Sequence, residues 1–221
     1  MKPKAISLFS GGLDSPVAMY IMSKKYNITP LHFVLYPYYC RGNFETTLKI
    51  ASKLKDKIGF KKLILFPWRD ILAQIVKKTN KKERKYQCIL CRKGMYKVAE
   101  LLAKKLNAKV LIDGTALAQK ASQTLDNMYA THKDIKIPIL HPLLGMDKNE
   151  IIELAKQHNI YFPIHAGCCS AVPKRPITHS DIDHVEYLYK KLEIEKIIKK
   201  LMKKALITKT INKDIFLKII K

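Results

Sequence analysis

A short polar loop between an apolar run and a helical pattern constrains this chain most. The run Ala5–Phe9 predicts a buried strand, and the pattern at 16–26 predicts the helix that follows it. The connection between them contains Ser10, Gly11, Gly12, Asp14 and Ser15. Two glycines let the backbone turn tightly and bring its N–H groups against an anion, and the helix N-terminus adds positive potential. The segment therefore predicts a phosphate-binding loop after a first strand.

The rest of the chain alternates short apolar runs with amphipathic helical patterns, which is typical of an α/β fold with a doubly wound parallel sheet. We predict five strands, at 4–9, 30–35, 62–66, 109–113 and 137–140. We predict helices at 16–26, 44–59, 69–79, 92–106, 147–158 and 180–204. Asp147 and Glu150 have the spacing of a capping pair at the start of the helix 147–158.

Ligands of such folds bind beyond the carboxyl ends of the strands. We therefore expect the phosphate loop to lie in one crevice with residues at or after the second strand, residues after the fourth strand, and residues of the loop that contains the two adjacent cysteines. These are His32, Phe33, Cys40, Gly114, Cys168 and Cys169.

The phosphate loop belongs to neither of the two commonest nucleotide-binding patterns. No Gly-Lys-Ser/Thr follows it, as in a Walker loop, and it lacks the Gly-x-Gly-x-x-Gly of dinucleotide sites. Ser-Gly-Gly-x-Asp-Ser resembles the loop of the ATP pyrophosphatases, which split ATP into AMP and pyrophosphate. Ser10 and Ser15 would add hydroxyl donors, and Asp14 would either hold Mg²⁺ or orient the loop.

The chain carries a large excess of positive charge, with 42 Lys and Arg against 18 Asp and Glu and a net charge of +24. Such a field attracts polyanions, so we expect an RNA or DNA partner. The alternative is a lysine-rich surface that only keeps the protein solvated. The excess is concentrated in 77–85 and 185–221, which lack interleaved aromatic residues, so contact with a nucleic-acid backbone is the expected role.

Five cysteines suggest chemistry with sulfur or metal. Cys88 and Cys91 have the spacing of a metal-binding or redox pair, and we place Cys91 at a helix start, where the pKa of a thiol falls. With Cys168 or Cys169 they would make three ligands of an iron–sulfur cluster that leaves one iron open. Buried, inert cysteines are the alternative. Cys40 is expected only to pack.

Several segments together resemble the tRNA 4-thiouridine synthetases. They are Ser-Gly-Gly-Leu-Asp-Ser-Pro-Val-Ala, Cys88-Ile-Leu-Cys91-Arg92-Lys93-Gly94-Met95, the block Gly114–Asn127, Pro142–Lys148, and Cys168-Cys169 with Pro173-Lys174. The resemblance runs from about Ser7 to Thr178. It implies a pyrophosphatase-type domain at 1–178, with 179–221 as a basic helical extension packed on the same domain.

The resemblance also implies roles for individual residues. The ATP site would use Leu8, Phe9, Ser10, Gly11, Gly12, Asp14, Ser15, His32, Phe33, Arg92, Gly114 and Gln123. Cys169 would carry the sulfur, with Cys168 beside it, and both are catalytic candidates together with Asp14. Cys88, Cys91 and one of Cys168 and Cys169 correspond to cysteines that are associated with an iron–sulfur cluster in archaeal members.

The sequence departs from the family pattern in two respects. Its phosphate loop starts at residue 10, so we expect no N-terminal THUMP region, and no C-terminal rhodanese domain is recognised. Thr115 and Ala118 replace a usual Glu and a usual Gly. We expect tRNA as a partner, with a separate RNA-binding or sulfur-donor protein as a further partner, and a homodimer remains an open alternative.

The reaction that we predict has two steps. A carbonyl oxygen, expected to be O4 of a uridine in tRNA, attacks the α-phosphate of ATP, and sulfur then displaces AMP. Two alternatives are a pyrophosphatase-type enzyme that acts on a small molecule and a non-catalytic nucleotide- or RNA-binding subunit.

No run of about 18 apolar residues is present and a strand starts close to Met1, so we expect a cytoplasmic protein without a signal peptide or membrane span.

Overall fold

The protein folds around a six-stranded sheet whose strand order is β5–β4–β1–β2–β3–β6. The structure is a computed structural model that describes residues 1–163, 167, 169–212 and 214–220. The strands are β1 (Lys4–Leu8), β2 (Asn27–Val34), β3 (Leu63–Pro67), β4 (Val110–Ile112), β5 (Ile139–Leu140) and β6 (Leu206–Thr208). The first five strands pair in parallel, and β6 pairs antiparallel with β3. The predicted α/β class is confirmed, whereas the predicted strand number was one too low.

Helices cover both faces of this sheet. They are α1 (Asp14–Ser23), α2 (Arg41–Ile58), α3 (Arg69–Lys78), α4 (Gln87–Leu106), α5 (Leu125–His132), α6 (Lys148–Gln157), α7 (Ile182–Lys191), α8 (Ile194–Leu201) and α9 (Ile215–Ile220). None of the helices in the described part of the chain is both long and apolar enough to cross a membrane.

Alternate residues of each strand enter different core clusters, because side chains along a strand point to opposite faces. In β3, Leu63 and Leu65 pack into the cluster formed with α1, α2, α6 and α9. Ile64 and Phe66 pack into the cluster formed with α3, α4, α7 and α8. The sheet is thus buried on both faces, which explains why its strands read as continuous apolar runs.

The predicted helix 180–204 is two helices. Glu193 adopts a left-handed conformation, with φ of 50°, between α7 and α8. Both helices bury apolar residues in the same cluster, as Leu188 and Ile198 do. Their apolar stripes therefore appear continuous in the sequence, and periodicity cannot detect one residue of reversed backbone twist.

The segment that follows is not wholly helical. After α8 the chain adds β6 to the free edge of β3, where Lys55 Nζ donates a hydrogen bond of 2.9 Å to the carbonyl of Lys209. A three-residue strand is too short to give a clear alternation of apolar and polar residues, which explains why β6 was not predicted.

Two helix assignments near the candidate site also differ from prediction. Helix α4 begins at Gln87 rather than at residue 92, and α5 was not predicted. The early start of α4 places Cys88, Cys91 and Arg92 inside one helix. At the start of α6 the predicted capping pair is confirmed: Asp147 accepts from the Glu150 N–H, and the Glu150 side chain accepts from the Asp147 N–H.

Candidate functional site

The loop between β1 and α1 is held in shape by two serine hydroxyls. The Ser10 N–H donates to Ser15 Oγ at 2.9 Å, and Ser15 Oγ donates to the Ser10 carbonyl at 2.9 Å. The Gly12 N–H donates to Ser10 Oγ at 3.4 Å. Ser15 therefore braces the loop in this conformation. The preformed turn carries the N–H groups of the loop to the N-terminus of α1, where an anion is favoured.

Gly114, directly beyond β4, allows the chain to approach the start of α1 closely. A Cβ atom at this position would lie 2.6 Å from the carbonyl carbon of Asp14 and 2.7 Å from the nitrogen of Ser15. Both neighbours are backbone atoms that a side-chain rotation cannot move. Only glycine permits this packing, which sets the phosphate loop against the end of β4.

A cavity of about 340 Å³ opens at the carboxyl ends of β1, β2 and β4. Among the described residues, all twelve candidate ATP-binding residues line it, and so does Cys169. The lining also includes residues that were not among the candidate ATP-binding residues, namely Leu35, Tyr39, Asn43, Thr47, Met95, Asp113, Thr115, Lys120 and Gly167. Of these, Asp113 could have been found, because it follows β4 at the edge where ligands bind.

Arg92 projects from α4 into a buried polar network on one wall of the cavity. Its guanidinium donates to Asp113 Oδ2 at 2.8 Å and to the Tyr96 hydroxyl at 2.9 Å, and it also contacts Thr115 Oγ1. Tyr96 in turn donates to Asp113. Burial would raise the pKa of Asp113, but the nearby Arg92 charge and the hydrogen bond from His141 hold that pKa well below its usual range. Arg92 is therefore part of the site and not a surface ion pair.

Two histidines extend this network away from the cavity. His141 Nδ1 donates to Asp113 Oδ1 at 2.6 Å, and the His141 ring stacks on His132 at 5.0 Å between centroids. Within the described part of the chain, Nε2 of each ring is buried without a hydrogen-bond partner. Burial, together with the adjacent His141, lowers the pKa of His132 to about 4. The neutral imidazole of His132 thus packs as an aromatic ring behind Asp113.

His32 supports the opposite wall of the cavity. Its Nδ1 must carry the proton, because it lies 3.0 Å from the carbonyl of Phe9, which can only accept. Nε2 then accepts from the Tyr39 hydroxyl at 3.0 Å. Burial lowers the pKa of His32 to about 4, so its ring stays neutral at physiological pH. The side chain fixes the end of β1.

Asp14, the first residue of α1, forms an ion pair that the sequence did not predict. Lys148 Nζ lies 2.6 Å from Asp14 Oδ1. The capping box at Asp147 orients the first turn of α6 and thereby places Lys148 beside the phosphate loop. Lys148 belongs to one of the segments that carry the family resemblance, but nothing in its spacing indicated this contact.

Three cysteines lie within electrostatic reach of one another. Burial raises the pKa of Cys88 to about 11 and that of Cys91 to about 12, and negative charge on Cys169 contributes to both increases. Trp68 Nε1 donates to Cys91 Sγ at 3.0 Å, which favours the thiolate and partly offsets the effect of burial. The prediction that a helix N-terminus lowers the pKa of Cys91 was wrong, because Cys91 is the fifth residue of α4 and burial of its thiol raises the pKa instead.

The remaining cysteines differ in status. Cys168 lies outside the described residues, so its predicted role is untested. Cys40 was expected to pack, but it is exposed at the start of α2, where its thiol donates to Asn43 Oδ1 at 3.2 Å, and it does not line the cavity. Across 1–163, 167, 169–212 and 214–220, no group of three or more Cys, His, Asp or Glu side chains is arranged to hold a metal ion.

Comparisons with known proteins identify the family of this chain. A family model described as "Thiamine biosynthesis protein (ThiI)" matches residues 1–194. The chain belongs to the ThiI family. ThiI-family relatives named "Probable tRNA sulfurtransferase" include one from Methanothermobacter thermautotrophicus, 38% identical over 91% of this chain and 52% of the relative. Another, from Acetivibrio thermocellus, is 31% identical over 96% of this chain and 54% of the relative. The chain thus spans about half the length of these ThiI-family relatives.

Solved structures support the ThiI assignment and the fold. A structure described as a 4-thiouridine synthetase–RNA complex with bound ATP matches 93% of this chain and 55% of its own chain, with a TM-score of 0.81 and 27% identity. NMN synthetase from Francisella tularensis matches 87% of this chain and 75% of its own, with a TM-score of 0.53 and 16% identity, which shows likeness of fold alone. The resemblance to the 4-thiouridine synthetases inferred from the sequence motifs is confirmed.

Proposed function

We infer that this chain is the ATP-dependent catalytic part of a tRNA sulfurtransferase. It would adenylate a carbonyl oxygen, expected to be O4 of a uridine, and allow sulfur to replace that oxygen, with release of pyrophosphate and AMP. One observation carries the inference: the phosphate loop, the Arg92 network and Cys169 all line a single cavity. A nucleotide site without a nearby sulfur residue would fit many ligases, whereas this combination fits thiolation.

The adenylation step would use fixed positive potential on two sides of the α-phosphate. The loop N–H groups and the start of α1 would hold the departing pyrophosphate, and the Arg92 guanidinium would face the α-phosphate from α4. Because Asp113 and Tyr96 already orient Arg92, little reorganisation is needed when charge develops. The attacking oxygen forms a bond to phosphorus as the bond to pyrophosphate breaks.

Asp14 is the residue that would hold Mg²⁺. Its carboxylate lies at the phosphate loop, and Mg²⁺ is commonly bound by one or two carboxylates together with phosphate oxygens. Bound there, the ion would neutralise charge on the phosphates. Lys148, now paired with Asp14, would be released when Mg²⁺ takes its place.

The sulfur step would take place on the side of the cavity where Cys169 lies. The outer sulfur of a persulfide on Cys169 would attack the activated carbon, AMP would leave with the former carbonyl oxygen, and a thiol reductant would cleave the S–S bond to release free Cys169. Alternatively, sulfide held beside Cys169 would attack the carbon directly and lose its proton as AMP leaves. Cys88, Cys91 and Cys169 are the residues that would hold an iron–sulfur cluster. In the described structure these three thiols are not arranged to hold a metal ion, so binding of a cluster would require them to move together. The N–H of Trp68 at the Cys91 sulfur would then suit such a group, which would supply an iron site open to sulfide.

We also propose that this chain acts on RNA. The structural neighbour is described as an RNA complex, and the net charge of +24 favours a polyanionic substrate.

The direct test combines pyrophosphate release with mass spectrometry of tRNA nucleosides. With ATP, Mg²⁺, sulfide and tRNA, the chain should release pyrophosphate and form thiolated uridine. Cys169→Ala should abolish thiolation, whereas Cys40→Ala, a matched change at an exposed cysteine outside the cavity, should leave it intact. Pyrophosphate release with a small molecule and no RNA would favour the small-molecule enzyme. Full thiolation by Cys169→Ala would refute the sulfur role.

A separate experiment tests the cluster. Protein purified without oxygen should be brown, with broad visible absorbance that Cys88→Ala and Cys91→Ala each remove and Cys40→Ala retains. A colourless protein that contains one equivalent of zinc would reject the cluster but leave the adenylation proposal standing.

A further inference from the structure

A second groove, separate from the candidate ATP site, runs along helix α2. Its volume is about 610 Å³, and its walls are α2 on one side and the segment after α6, Asn159–Pro163, on the other. Three lysines of α2 line it, Lys49, Lys53 and Lys57. The groove is relevant to the proposed function because it begins close to the candidate ATP cavity.

The three lysines form a straight row. Successive members are four residues apart, so they share one face of the helix, and the row is about 12 Å long at the usual helical rise. All three are exposed, and in the described part of the chain none lies within salt-bridge distance of a carboxylate. Among the described residues of the lining, Asp56 is the only one with an acidic side chain, so these residues give the groove a net positive charge.

The basic C-terminal region contrasts with this row. On α8, Lys196 lies 3.1 Å from Glu193 and Lys199 lies 3.2 Å from Glu195. Part of that charge is therefore neutralised within the helix. The sequence favoured 77–85 and 185–221 for contact with a nucleic-acid backbone. Compared with the lysines of α8, those of the α2 row are less neutralised by neighbouring carboxylates.

Aromatic rings lie opposite the lysine row. The rings of Tyr161 and Phe162 line the groove, and Tyr161 is 38% exposed. Lys53 Nζ lies 5.8 Å from the centroid of Phe162, and Lys156 Nζ lies 5.6 Å from that of Tyr161. A charged groove that follows a backbone, together with aromatic faces on which bases stack, is the usual means of binding a single-stranded nucleic acid. No sequence window shows this, because the rings lie about a hundred residues from the lysines.

The groove lies beside the candidate ATP site on α2, although the two share no lining residue among those that the structure describes. Asn43 and Thr47 line the ATP cavity, while Thr46 and Ile50 line the groove. The two openings are therefore less than one helical turn apart on the same helix. A strand bound on the lysine row would reach the cavity with its next nucleotides.

We propose that the α2 groove binds a single-stranded stretch of the RNA substrate and directs the neighbouring nucleotide into the cavity. Phosphates lie on Lys49, Lys53 and Lys57, and a base stacks on Tyr161. This proposal rests on the proposed function for the identity of the substrate.

The test measures binding of a fluorescent tRNA transcript to the full chain, without ATP, over a series of salt concentrations. The triple variant Lys49→Gln/Lys53→Gln/Lys57→Gln should make the slope of log K against log salt, where K is the association constant, less negative by about 2 to 3. This corresponds to about 0.7 to 0.9 for each lost phosphate contact. Near 0.1 M salt the variant should bind about 100-fold more weakly. The matched control, Lys196→Gln/Lys199→Gln/Lys200→Gln on α8, removes the same charge and should change the affinity less than about fivefold. Equal losses in both variants, or no loss in the α2 variant, would overturn the proposal.

Two further comparisons address the strand and the ring. Tyr161→Ala should weaken binding about fivefold or more, and Tyr161→Phe should preserve it, because stacking needs the ring and not the hydroxyl. An unpaired oligouridine should compete better than a duplex of equal length, and preference for the duplex would overturn the single-strand assignment. The binding assay contains no ATP and therefore does not measure thiolation. If the unmodified chain thiolates tRNA but the α2 variant binds tRNA normally, the groove proposal is wrong and the proposed function stands.

Discussion

Substitution of Gly114 by alanine should damage the candidate ATP site more than any exposed change of the same size. The new Cβ would lie 2.6 Å from the carbonyl carbon of Asp14, whereas ordinary contacts begin near 3.4 Å, so the two backbone segments must separate by about 0.8 Å. Overpacking of this kind destabilises a protein by about 1 to 3 kcal/mol. For a chain of this size that corresponds to a melting temperature about 3 to 10 °C lower. A displacement near 1 Å at a reacting centre reduces rates on the order of 100-fold.

Gly145→Ala is the matched control, because a Cβ at Gly145 meets no described atom within 4 Å. Thermal unfolding and tRNA-dependent pyrophosphate release should be measured for both variants and the unmodified chain. Gly114→Ala should lose stability and most of its activity, while Gly145→Ala should keep both. If Gly114→Ala matches Gly145→Ala in melting temperature and activity, then the close approach of β4 to α1 does not hold the loop.

Three further predictions follow from buried or paired charges. The unfolded chain binds a proton at His32 below pH 6.5, but the folded chain does so only near pH 4, so lowering the pH from 7 to 5 should reduce the free energy of unfolding by about 2 kcal/mol through this residue. Urea unfolding should show that His32→Asn lacks this loss, and equal pH dependence would contradict the assignment. Arg92→Met leaves the carboxylate of Asp113 buried with one cation fewer and should destabilise the fold by about 3 kcal/mol in urea, and a change below about 1 kcal/mol would contradict the buried pair. Lys148→Met should change stability by less than about 1 kcal/mol, because that pair is partly exposed, yet should lower the Mg²⁺ concentration needed for half-maximal ATP binding, measured by calorimetry. A higher Mg²⁺ requirement would refute competition between Lys148 and the ion.

Much of the fold follows from local patterns. The apolar runs, the two-glycine loop and the capping pair at Asp147 are each encoded within a few residues, so five strands and the start of α6 were predictable. The loop and Gly114 follow neighbouring strands and therefore lie at the same edge of the sheet, the one formed by the carboxyl ends of the strands. The ThiI family resemblance added Arg92 to this group. The full set of candidate ATP residues came from the family resemblance, whereas the rule that ligands bind at the carboxyl ends of parallel strands supplied only the loop, His32, Phe33 and Gly114.

What sequence could not supply depends on contacts between distant segments. The partners of Arg92 come from α4 and from the end of β4, and Lys148 reaches Asp14 from 134 residues away. The raised pKa of Cys91 results from burial, which overrides the helix-terminus argument that spacing suggested. Glu193 reverses the backbone twist at a residue type that gives no signal of it.

Helix α4 carries Cys88, Cys91 and Arg92 within two turns, between the tryptophan indole on one side and the buried aspartate on the other. The sulfur-bearing side of the site and the arginine side are thus joined through a single rigid rod. A rigid-body movement of α4 would therefore displace the cysteines and Arg92 together. Independent movement of the two sides would therefore have to come from residues outside the helix, and Cys169 is such a residue of the cavity lining.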